Sequence, residues 1–264
     1  MGTRAVKRVL KREAPPPALV KYLERCPESS WEEMRQDGEN HGLEVPKACR
    51  DAASEDQGGL CAYCEQKHMD SEIYKWRVEH FHPKSDKGEK NWDLDWNNML
   101  FVCSGGTRIM PRLLSCDAHK EQMISKRKLD MQCEGLIINP LELPAFPNLF
   151  SFVPHTGHLK PDEEACGRTV IPGNKMGSTA ALVKNTIDML NLNCHRLSAQ
   201  RKELADEVED FKEKLRNRNF TYQMAKKHLV TRFFEIKHPQ FFTTLRCCLG
   251  AAAEEHLHSQ NYQG

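Results

Sequence analysis

The stretch Val78–Ser85 reads VEHFHPKS and holds two histidines on alternate positions, with an acid before the first and a proline after the second. Alternate residues of a strand lie on one face, so His80 and His82 share a face if the strand runs that far. The stretch is either the polar end of a strand or a reactive site. The neighbouring sequence has to decide between these two.

The residues before this stretch extend the strand pattern. From Tyr74 the sequence reads YKWRVEHF, in which bulky and polar residues alternate. This period of two predicts a strand whose core face carries the bulky residues. The predicted core face holds Tyr74, Trp76, Val78 and His80, and the opposite face holds Lys75, Arg77, Glu79 and Phe81.

Two pairs of cysteines flank the strand. Cys61 and Cys64 have Cys-x-x-Cys spacing, while Cys103 and Cys116 are separated by twelve residues. Four thiolates directed at one point form a closed tetrahedral site for structural Zn²⁺. The alternative is a set of reduced core cysteines without metal. The chain has eleven cysteines, and we expect the other seven to be small buried apolar residues.

A zinc ion with four cysteine ligands has no free position for water, so any chemistry has to lie between the two pairs. That interval contains Glu79, His80 and Asn98, and Asp117 directly follows Cys116. Carboxylate and amide oxygens suit a hard cation such as Mg²⁺ or Mn²⁺. The sequence therefore offers two carboxylates, an imidazole and an amide for a second metal site.

Together, the segments CAYCEQ, VEHFHPKS, LDWNNM and CDAHK resemble the HNH endonucleases of the ββα-metal fold. They look closest to the PtuB-like nucleases of Septu and retron-associated antiphage systems. The segments IINPLELP, TGHLKP and NTIDMLNLNCHRLSAQR extend the likeness over about residues 5 to 205. Three features depart from the broad family: Glu79 replaces the usual Asp, Asp117 replaces Asn or His, and the loop between Cys103 and Cys116 is long.

The resemblance implies a single-metal nuclease site with His80 as the general base, and a neutral imidazole suits that role near pH 7. Mg²⁺ or Mn²⁺ would be held by Glu79 and Asp117. Asn98 is either a third ligand or the residue that orients the imidazole by a hydrogen bond to the ring or to a backbone group. The secondary candidates are His82 and His119. Lys84 and Lys120 could contact phosphate, but exposed lysines are common and neither is chosen. Trp92 and Trp96 are expected to pack.

The expected fold class is α+β and mostly helical, with a zinc-stapled ββα-metal core between flanking helices. Residues 1–59 form a lead-in and short helices, and residues 60–130 form the nuclease core. Residues 131–177 form a connector of loops, and residues 178–264 form a helical region.

Local motifs predict single elements of this arrangement. A capping box in SSWEEM starts one helix, and EVPKACRDAASEDQ forms another that stops at Gly58-Gly59. CDAHKEQMISKRKL reads as a helix and LFSFVPHTGHLKP as a hairpin. An apolar seam predicts packed helices broken near LNLNCH, and its members are Val183, Ile187, Leu190, Cys194, Leu197, Leu204, Val208, Phe211 and Leu215.

The charge balance limits how the protein meets its partners. The 264 residues include 38 Lys and Arg against 37 Asp and Glu, for a net charge of +1. This near-neutrality argues against strong autonomous binding to nucleic acid by bulk charge. No apolar run approaches the roughly 20 residues of a membrane span, and the N-terminal sequence is no signal peptide. We expect a cytoplasmic bacterial protein.

The expected function is metal-dependent cleavage of nucleic acid, with DNA favoured, as the effector of an antiphage system. The resemblance implies a PtuA-like ATPase as partner and, in some systems, a retron reverse transcriptase with its RNA–DNA product. The chain itself has no Gly-x-x-x-x-Gly-Lys-Ser/Thr nucleotide loop. Two alternatives remain: a nuclease that cleaves RNA, tRNA included, and a non-catalytic zinc-stabilised module that binds nucleic acid or protein.

Overall fold

The computed structural model describes residues 8–68, 76–86, 88, 90–107, 113–234 and 239–263. Within these ranges the fold is α+β, with α-helices around two small antiparallel sheets. No helix in the described ranges combines the length and the apolar character that crossing a bilayer requires. The helices are α1 (Pro17–Arg25), α2 (Trp31–Gln36), α3 (Val45–Asp56), α4 (Cys116–Ser125), α5 (Glu163–Gly167), α6 (Thr179–Met189), α7 (His195–Asn217), α8 (Tyr222–Phe233), α9 (Phe242–Leu249) and α10 (Ala251–Ser259).

Helices α2 and α3 form one wall of the site described below. The predicted capping box is confirmed: Ser30 accepts a hydrogen bond from the Glu33 amide, and the Glu33 carboxylate accepts one from the Ser30 amide. Helix α3 ends just before Gly58 and Gly59, both of which have positive φ. The predicted stop of this helix is therefore confirmed as well.

The nuclease-like core is a hairpin followed by a helix. Strand β1 (Trp76–His80) pairs antiparallel with strand β2 (Met99–Cys103), and α4 follows. The hairpin packs against both α3 and α4.

The predicted faces of β1 need a correction. Trp76 is buried as expected, but Val78 and His80 are only half-buried, whereas Glu79 and Phe81 on the supposedly outer face are buried. The alternation assumed one solvated face, and the helices packed around the hairpin remove that face. Tyr74 and Lys75 lie outside the described residues.

The predicted helix CDAHKEQMISKRKL is shorter than expected, because α4 ends at Ser125. Arg127 has a φ of 56°, in the left-handed region, and the Lys128 amide donates to the Met123 carbonyl at 2.8 Å. This is a helix-terminating turn that satisfies the last carbonyls with a non-glycine residue in the left-handed position.

The predicted hairpin is present as strands β3 (Phe150–Val153) and β4 (His158–Pro161). Gly157 between them has a φ of 73°, and a Cβ there would lie 1.9 Å from the Ser198 carbonyl oxygen on α7. The hairpin can therefore pack directly on α7 only with glycine at this position. Helix α5, which the sequence reasoning missed, follows β4 and begins at a capping Asp162.

The predicted apolar seam breaks between α6 and α7, as expected. Its residues, however, belong to two separate hydrophobic cores. Val183, Ile187 and Leu197 belong to the main core around the hairpin, whereas Val208 and Leu215 belong to a second core with α8, α9 and α10. Helix α7 packs mainly against α9 and α8. It therefore links the two cores along its length.

Candidate functional site

The structure brings the four predicted cysteines together. The Sγ atoms are 3.7 Å apart for Cys103 and Cys116, 3.8 Å for Cys64 and Cys103, and 3.9 Å for Cys61 and Cys116. Four sulfurs around a zinc ion at about 2.3 Å would be roughly 3.8 Å apart. All four side chains are buried, and they are the one group of this kind in the described ranges. The cluster can therefore hold a metal such as zinc.

The long loop between the last two cysteines does not pull them apart. The Ser115 amide donates to the Gly105 carbonyl at 2.9 Å and closes the loop at its base. A Cβ on Gly105 would lie 2.1 Å from the Ser115 carbonyl oxygen, so the closure needs glycine. Cys116 itself has a φ of 55°, and its backbone N–H donates a hydrogen bond to the Leu190 carbonyl oxygen.

The thiols of the cluster influence each other's ionisation. Burial opposes ionisation of Cys61, but hydrogen bonds from Cys103 and Cys116 outweigh it and lower the pKa of Cys61 well below its usual value. Burial, together with the neighbouring thiols, raises the pKa of Cys64 well above its usual value. One proton leaves easily and the next does not, unless a cation compensates the accumulating negative charge.

A second cluster lies beside the first and contains Glu79, Asp117 and Lys120. The Lys120 ammonium is 2.6 Å from Glu79 Oε1 and 3.1 Å from the Phe81 carbonyl oxygen, and all three side chains of the cluster are buried. The Tyr63 hydroxyl also faces Glu79 Oε1, at 3.4 Å. These contacts fix one carboxylate oxygen of Glu79.

The two carboxylates have opposite pKa shifts. Burial favours a protonated Glu79, but the Lys120 charge and a hydrogen bond from Asp117 outweigh it and lower the pKa of Glu79. Burial and then the Glu79 charge raise the pKa of Asp117 well above its usual range, and Arg77 offsets only part of this. Two buried carboxyl groups whose pKa values are shifted in opposite directions are typical of functional sites.

Asp117 also has a spare acceptor. Its Oδ1 is buried and has no hydrogen-bond partner in the described part of the chain. Buried carboxylate oxygens without a partner are costly, and a bound cation is one of the explanations for them. Glu79 and Asp117 therefore fit a hard divalent ion by their donor chemistry.

His80 is held at the end of β1 by two contacts. Its Nε2 is 2.9 Å from the Asp93 carbonyl oxygen. The Trp31 ring packs edge-to-face against the imidazole, with 4.8 Å between the two ring centroids. A carbonyl only accepts, so Nε2 carries the proton and Nδ1 has the free lone pair. Burial, followed by the Lys84 charge, lowers the pKa of His80 to about 4. The imidazole is thus neutral near pH 7.

The side-chain amide of Asn98 hydrogen-bonds to the backbone, which is one of the arrangements that the sequence left open. Its Oδ1 accepts from the His82 amide at 2.7 Å, and its Nδ2 donates to the carbonyls of His82 and Trp92 at 3.0 and 2.9 Å. Both the oxygen and the nitrogen of the Asn98 side-chain amide therefore form hydrogen bonds with backbone groups. Asn98 therefore ties the two ends of the loop that carries Asp93, and its oxygen already has a partner.

The two secondary histidines have structural partners. His82 bridges two carboxylates, with Nδ1 2.6 Å from Glu134 and Nε2 2.9 Å from Asp86, and its ring lies on Trp92. His119 Nδ1 is 2.9 Å from the Met189 carbonyl oxygen. Trp96 is buried under the Lys11 ammonium, so both tryptophans pack as expected.

Glu79, His80 and Asp117 open onto one cleft of about 860 Å³. Helices α2 and α3 form its opposite wall, and basic residues occur on several sides of it. The cleft-lining cations are Arg35, Lys47, Arg50, Arg77, Lys84 and Lys120. Four acids also line the cleft, namely Glu32, Glu79, Asp117 and Glu121, so the six cations exceed the acids by two. This small positive excess suits a polyanion despite the near-zero net charge of the chain.

Sequence reasoning missed Lys120 and Arg77. Lys120 stands three residues after Asp117 on α4, on the same helix face, and Arg77 stands two residues before Glu79 on the same strand face. These spacings were the available signals. Burial of a lysine and the carbonyl partner of His80 leave no mark in a single sequence.

A comparison with curated proteins gives a match over most of both chains. Over 237 residues, 35% are identical to an Escherichia coli protein named "Retron Ec83 putative HNH endonuclease", covering 86% of this chain and 88% of that protein. No protein-family model matches the chain. The aligned range is long enough to include both clusters and most of the surrounding helices.

Proposed function

Because this chain belongs to the HNH endonucleases associated with retrons, we propose that it hydrolyses phosphodiester bonds in this cleft, with DNA favoured, as an effector of bacterial antiphage defence. One observation carries the choice of site. An oriented, neutral imidazole opens onto the same cleft as two buried carboxyl groups with opposite pKa shifts, and cations outnumber acids in the lining of that cleft. These are the parts that a metal-assisted hydrolysis of a polyanion needs.

We assign zinc to the four-cysteine cluster and Mg²⁺ or Mn²⁺ to Glu79 and Asp117. The thiolate set suits zinc in a closed structural site, and the two carboxylates suit a hard ion. Glu79 Oε1 is taken by Lys120, and Asp117 Oδ1 is free of hydrogen bonds in the described ranges. When bound, the divalent ion supplies Lewis-acid stabilisation of the phosphoryl oxygens.

His80 moves the proton. Its Nδ1 accepts a proton from the attacking water, while Nε2 stays bonded to the Asp93 carbonyl and keeps the ring oriented. Trp31 restrains the ring from the side. Glu79 lowers the cost of the imidazolium that forms, because its charge lies next to His80 in the strand. A positioned general base contributes typically 10²- to 10⁴-fold in rate.

The substrate class is tested by direct competition. A site that reads phosphates does not by itself distinguish DNA from RNA. Purified protein should cut plasmid or single-stranded DNA faster than total RNA with Mg²⁺ or Mn²⁺, and EDTA should stop cleavage while the cysteine-bound zinc remains. Faster cleavage of RNA, tRNA included, would overturn the DNA preference. Absence of cleavage under every condition, with nucleic acid bound, would favour the non-catalytic module.

The partner we propose is a PtuA-like ATPase, in some systems together with a reverse transcriptase and its RNA–DNA product. The end of α7 and the start of α8 are the surface that fits best. Lys214, Arg218 and Lys227 are exposed there without an ion pair in the described ranges, beside exposed Tyr222 and Met224.

The N-terminal lead-in is a weaker candidate. Arg12 hydrogen-bonds to Asp56 and Glu55, and Lys11 hydrogen-bonds to the backbone of Trp96, so the described part of this segment is anchored on the core.

Co-expression with the neighbouring ATPase followed by size exclusion tests the partner. A complex at micromolar concentration is expected, and the double variant Lys214→Glu, Arg218→Glu should weaken it. Lys160→Glu, a reversal at an exposed lysine on β4, is the matched control. Separate elution, with full activity of the isolated chain, would show that the extra helices only complete its core.

A further inference from the structure

Arg77 occupies a position in the cleft that the proposed mechanism does not use. It stands two residues before Glu79, on the same face of β1, and its Nη2 is 2.5 Å from Asp117 Oδ2. The Arg77 side chain is 40% exposed and that of Asp117 only 4%. The guanidinium thus reaches from the open cleft to a buried carboxyl group.

This contact is close but poorly matched. Arginine and a carboxylate can form two parallel hydrogen bonds that satisfy both partners. Here Arg77 Nε and Nη2 are buried without a hydrogen bond in the described part of the chain, and so is Asp117 Oδ1. The pair is therefore held by charge and not by directed bonds.

Lys120 shows what a fixed cation in the same cluster looks like. It lies 2.6 Å from Glu79 and 3.1 Å from the Phe81 carbonyl oxygen, and its side chain is only 6% exposed. Helix α4 and the hairpin enclose it. Of the two cations beside the carboxyl groups, Lys120 is locked in place and Arg77 borders open space.

The charges make these two cations important for metal binding. Glu79 and Asp117 carry at most two negative charges, and Arg77 and Lys120 carry two positive ones. Glu121 also lines the cleft, but it is exposed, so solvent and salt weaken its attraction. A divalent ion that entered the buried cluster itself would meet no net negative charge, and its affinity would be low. The ion binds more tightly if one cation leaves, and only Arg77 has the freedom to leave.

We propose that Arg77 competes with the divalent ion for Asp117 in the free protein and leaves it for a phosphate of the nucleic acid. The guanidinium is well suited to this exchange, because it pairs with phosphate through two parallel bonds. The ion and the nucleic acid then bind cooperatively, so the free nuclease holds little catalytic ion. This inference rests on the proposed function, since it needs an ion at Glu79 and Asp117.

Binding of Mn²⁺, followed by the electron paramagnetic resonance signal of the free ion, tests the competition without a need for activity. The His80→Ala background prevents cleavage, and a short DNA duplex and an RNA duplex of the same sequence serve as ligands. Mn²⁺ should bind weakly to the protein alone and more tightly when a duplex is added. By linkage, Mn²⁺ should tighten duplex binding by the same factor.

Without nucleic acid, the Arg77→Gln variant should bind Mn²⁺ about tenfold more tightly than the parent protein. This factor corresponds to a difference of about 1.4 kcal/mol in binding free energy. The variant should also lose most of the gain from the duplex, whereas Arg77→Lys should return the affinity toward that of the parent. Arg35→Gln, at a cleft arginine paired with Glu32, is the control that should change nothing in the free protein. Unchanged or weaker Mn²⁺ binding in Arg77→Gln would overturn the competition.

A further variant separates this inference from the proposed function. Asp117→Asn should lose Mn²⁺ binding. If it does while Arg77→Gln has no effect, the metal site stands and the role of Arg77 is wrong. If neither the parent nor any variant binds Mn²⁺ in the presence of duplex, the metal site and the competition are both wrong.

Discussion

The four-cysteine cluster and the carboxylate cluster meet at adjacent residues, because Cys116 belongs to one and Asp117 to the other. The cysteine cluster is closed and uniform, with four buried thiols around one point. The carboxylate cluster is mixed: acids and cations oppose each other, and one side opens onto a cleft. A closed cluster can only hold the fold together, whereas an open one with balanced charges can exchange partners.

The contrast predicts that loss of a cysteine ligand affects the whole fold. Cys64→Ser should lose its metal and unfold, since structural zinc contributes on the order of 10 kcal/mol, comparable to the stability of a domain. Close to one zinc per chain should be found in the parent by elemental analysis. Cys49→Ala, at a buried cysteine outside the cluster, should keep its zinc. Folded parent protein that contains no zinc would contradict the assignment.

The carboxylate cluster should instead fail in chemistry while the fold survives. His80→Ala should lower the cleavage rate by roughly 10²- to 10⁴-fold and leave zinc in place. Its melting temperature should fall modestly, because the variant leaves the Asp93 carbonyl and the Trp31 ring without their partner. The matched control is His119→Ala, which loses a similar carbonyl bond outside the cleft. Equal activity of the two variants would rule out His80 as the base.

Replacement of Lys120 should have an effect between loss of the fold and loss of chemistry alone, because it disturbs both stability and metal binding. Lys120→Met leaves Glu79 buried without its cation, and breaking a buried ion pair from one side costs about 3 to 5 kcal/mol. Mn²⁺ should restore more stability to this variant than to the parent, since the ion replaces the lost charge. Thermal unfolding in EDTA and in Mn²⁺ checks this, with Lys126→Met at an exposed position as control. The same Mn²⁺ shift in both variants would contradict it.

The sequence predicted what is encoded locally. The spacing of Cys61 and Cys64, the cap of α2 and the hairpin β3–β4 all depend on residues a few positions apart. The opposite case is Glu65, whose carboxylate accepts from the amide and hydroxyl of Thr243 at the start of α9, 178 residues along the chain.

Such contacts depend on packing between residues far apart in the chain, so no local sequence pattern predicts them. The same holds for Lys120. From sequence alone a lysine is expected to be exposed, and only the packing of α4 on the hairpin shows that it contacts Glu79. The β1 faces were misassigned for the same reason, because contact with Lys120 of α4 and with Tyr63 makes Glu79 a buried acid instead of a surface acid.

The smaller of the two expected losses of cleavage rate sharpens the comparison within two adjacent residues. Asn98 is buried and holds the backbone of His82 and Trp92, whereas Asn97 beside it is exposed. Asn98→Ala leaves three backbone groups without their partner, and each buried orphan costs about 1 to 3 kcal/mol where water cannot replace the bond. The loop also carries the Asp93 carbonyl that orients His80, so cleavage should fall roughly 10- to 100-fold. Zinc content should stay at the parent level.

Asn97→Ala should match the parent in melting temperature and in rate. If Asn98 acts as a metal ligand instead of a loop clamp, its alanine variant should bind Mn²⁺ more weakly, and excess Mn²⁺ should restore the rate. A clamp predicts that no concentration of Mn²⁺ restores it. The metal titration of Asn98→Ala therefore distinguishes the two roles, because only the loss of a ligand can be offset by mass action.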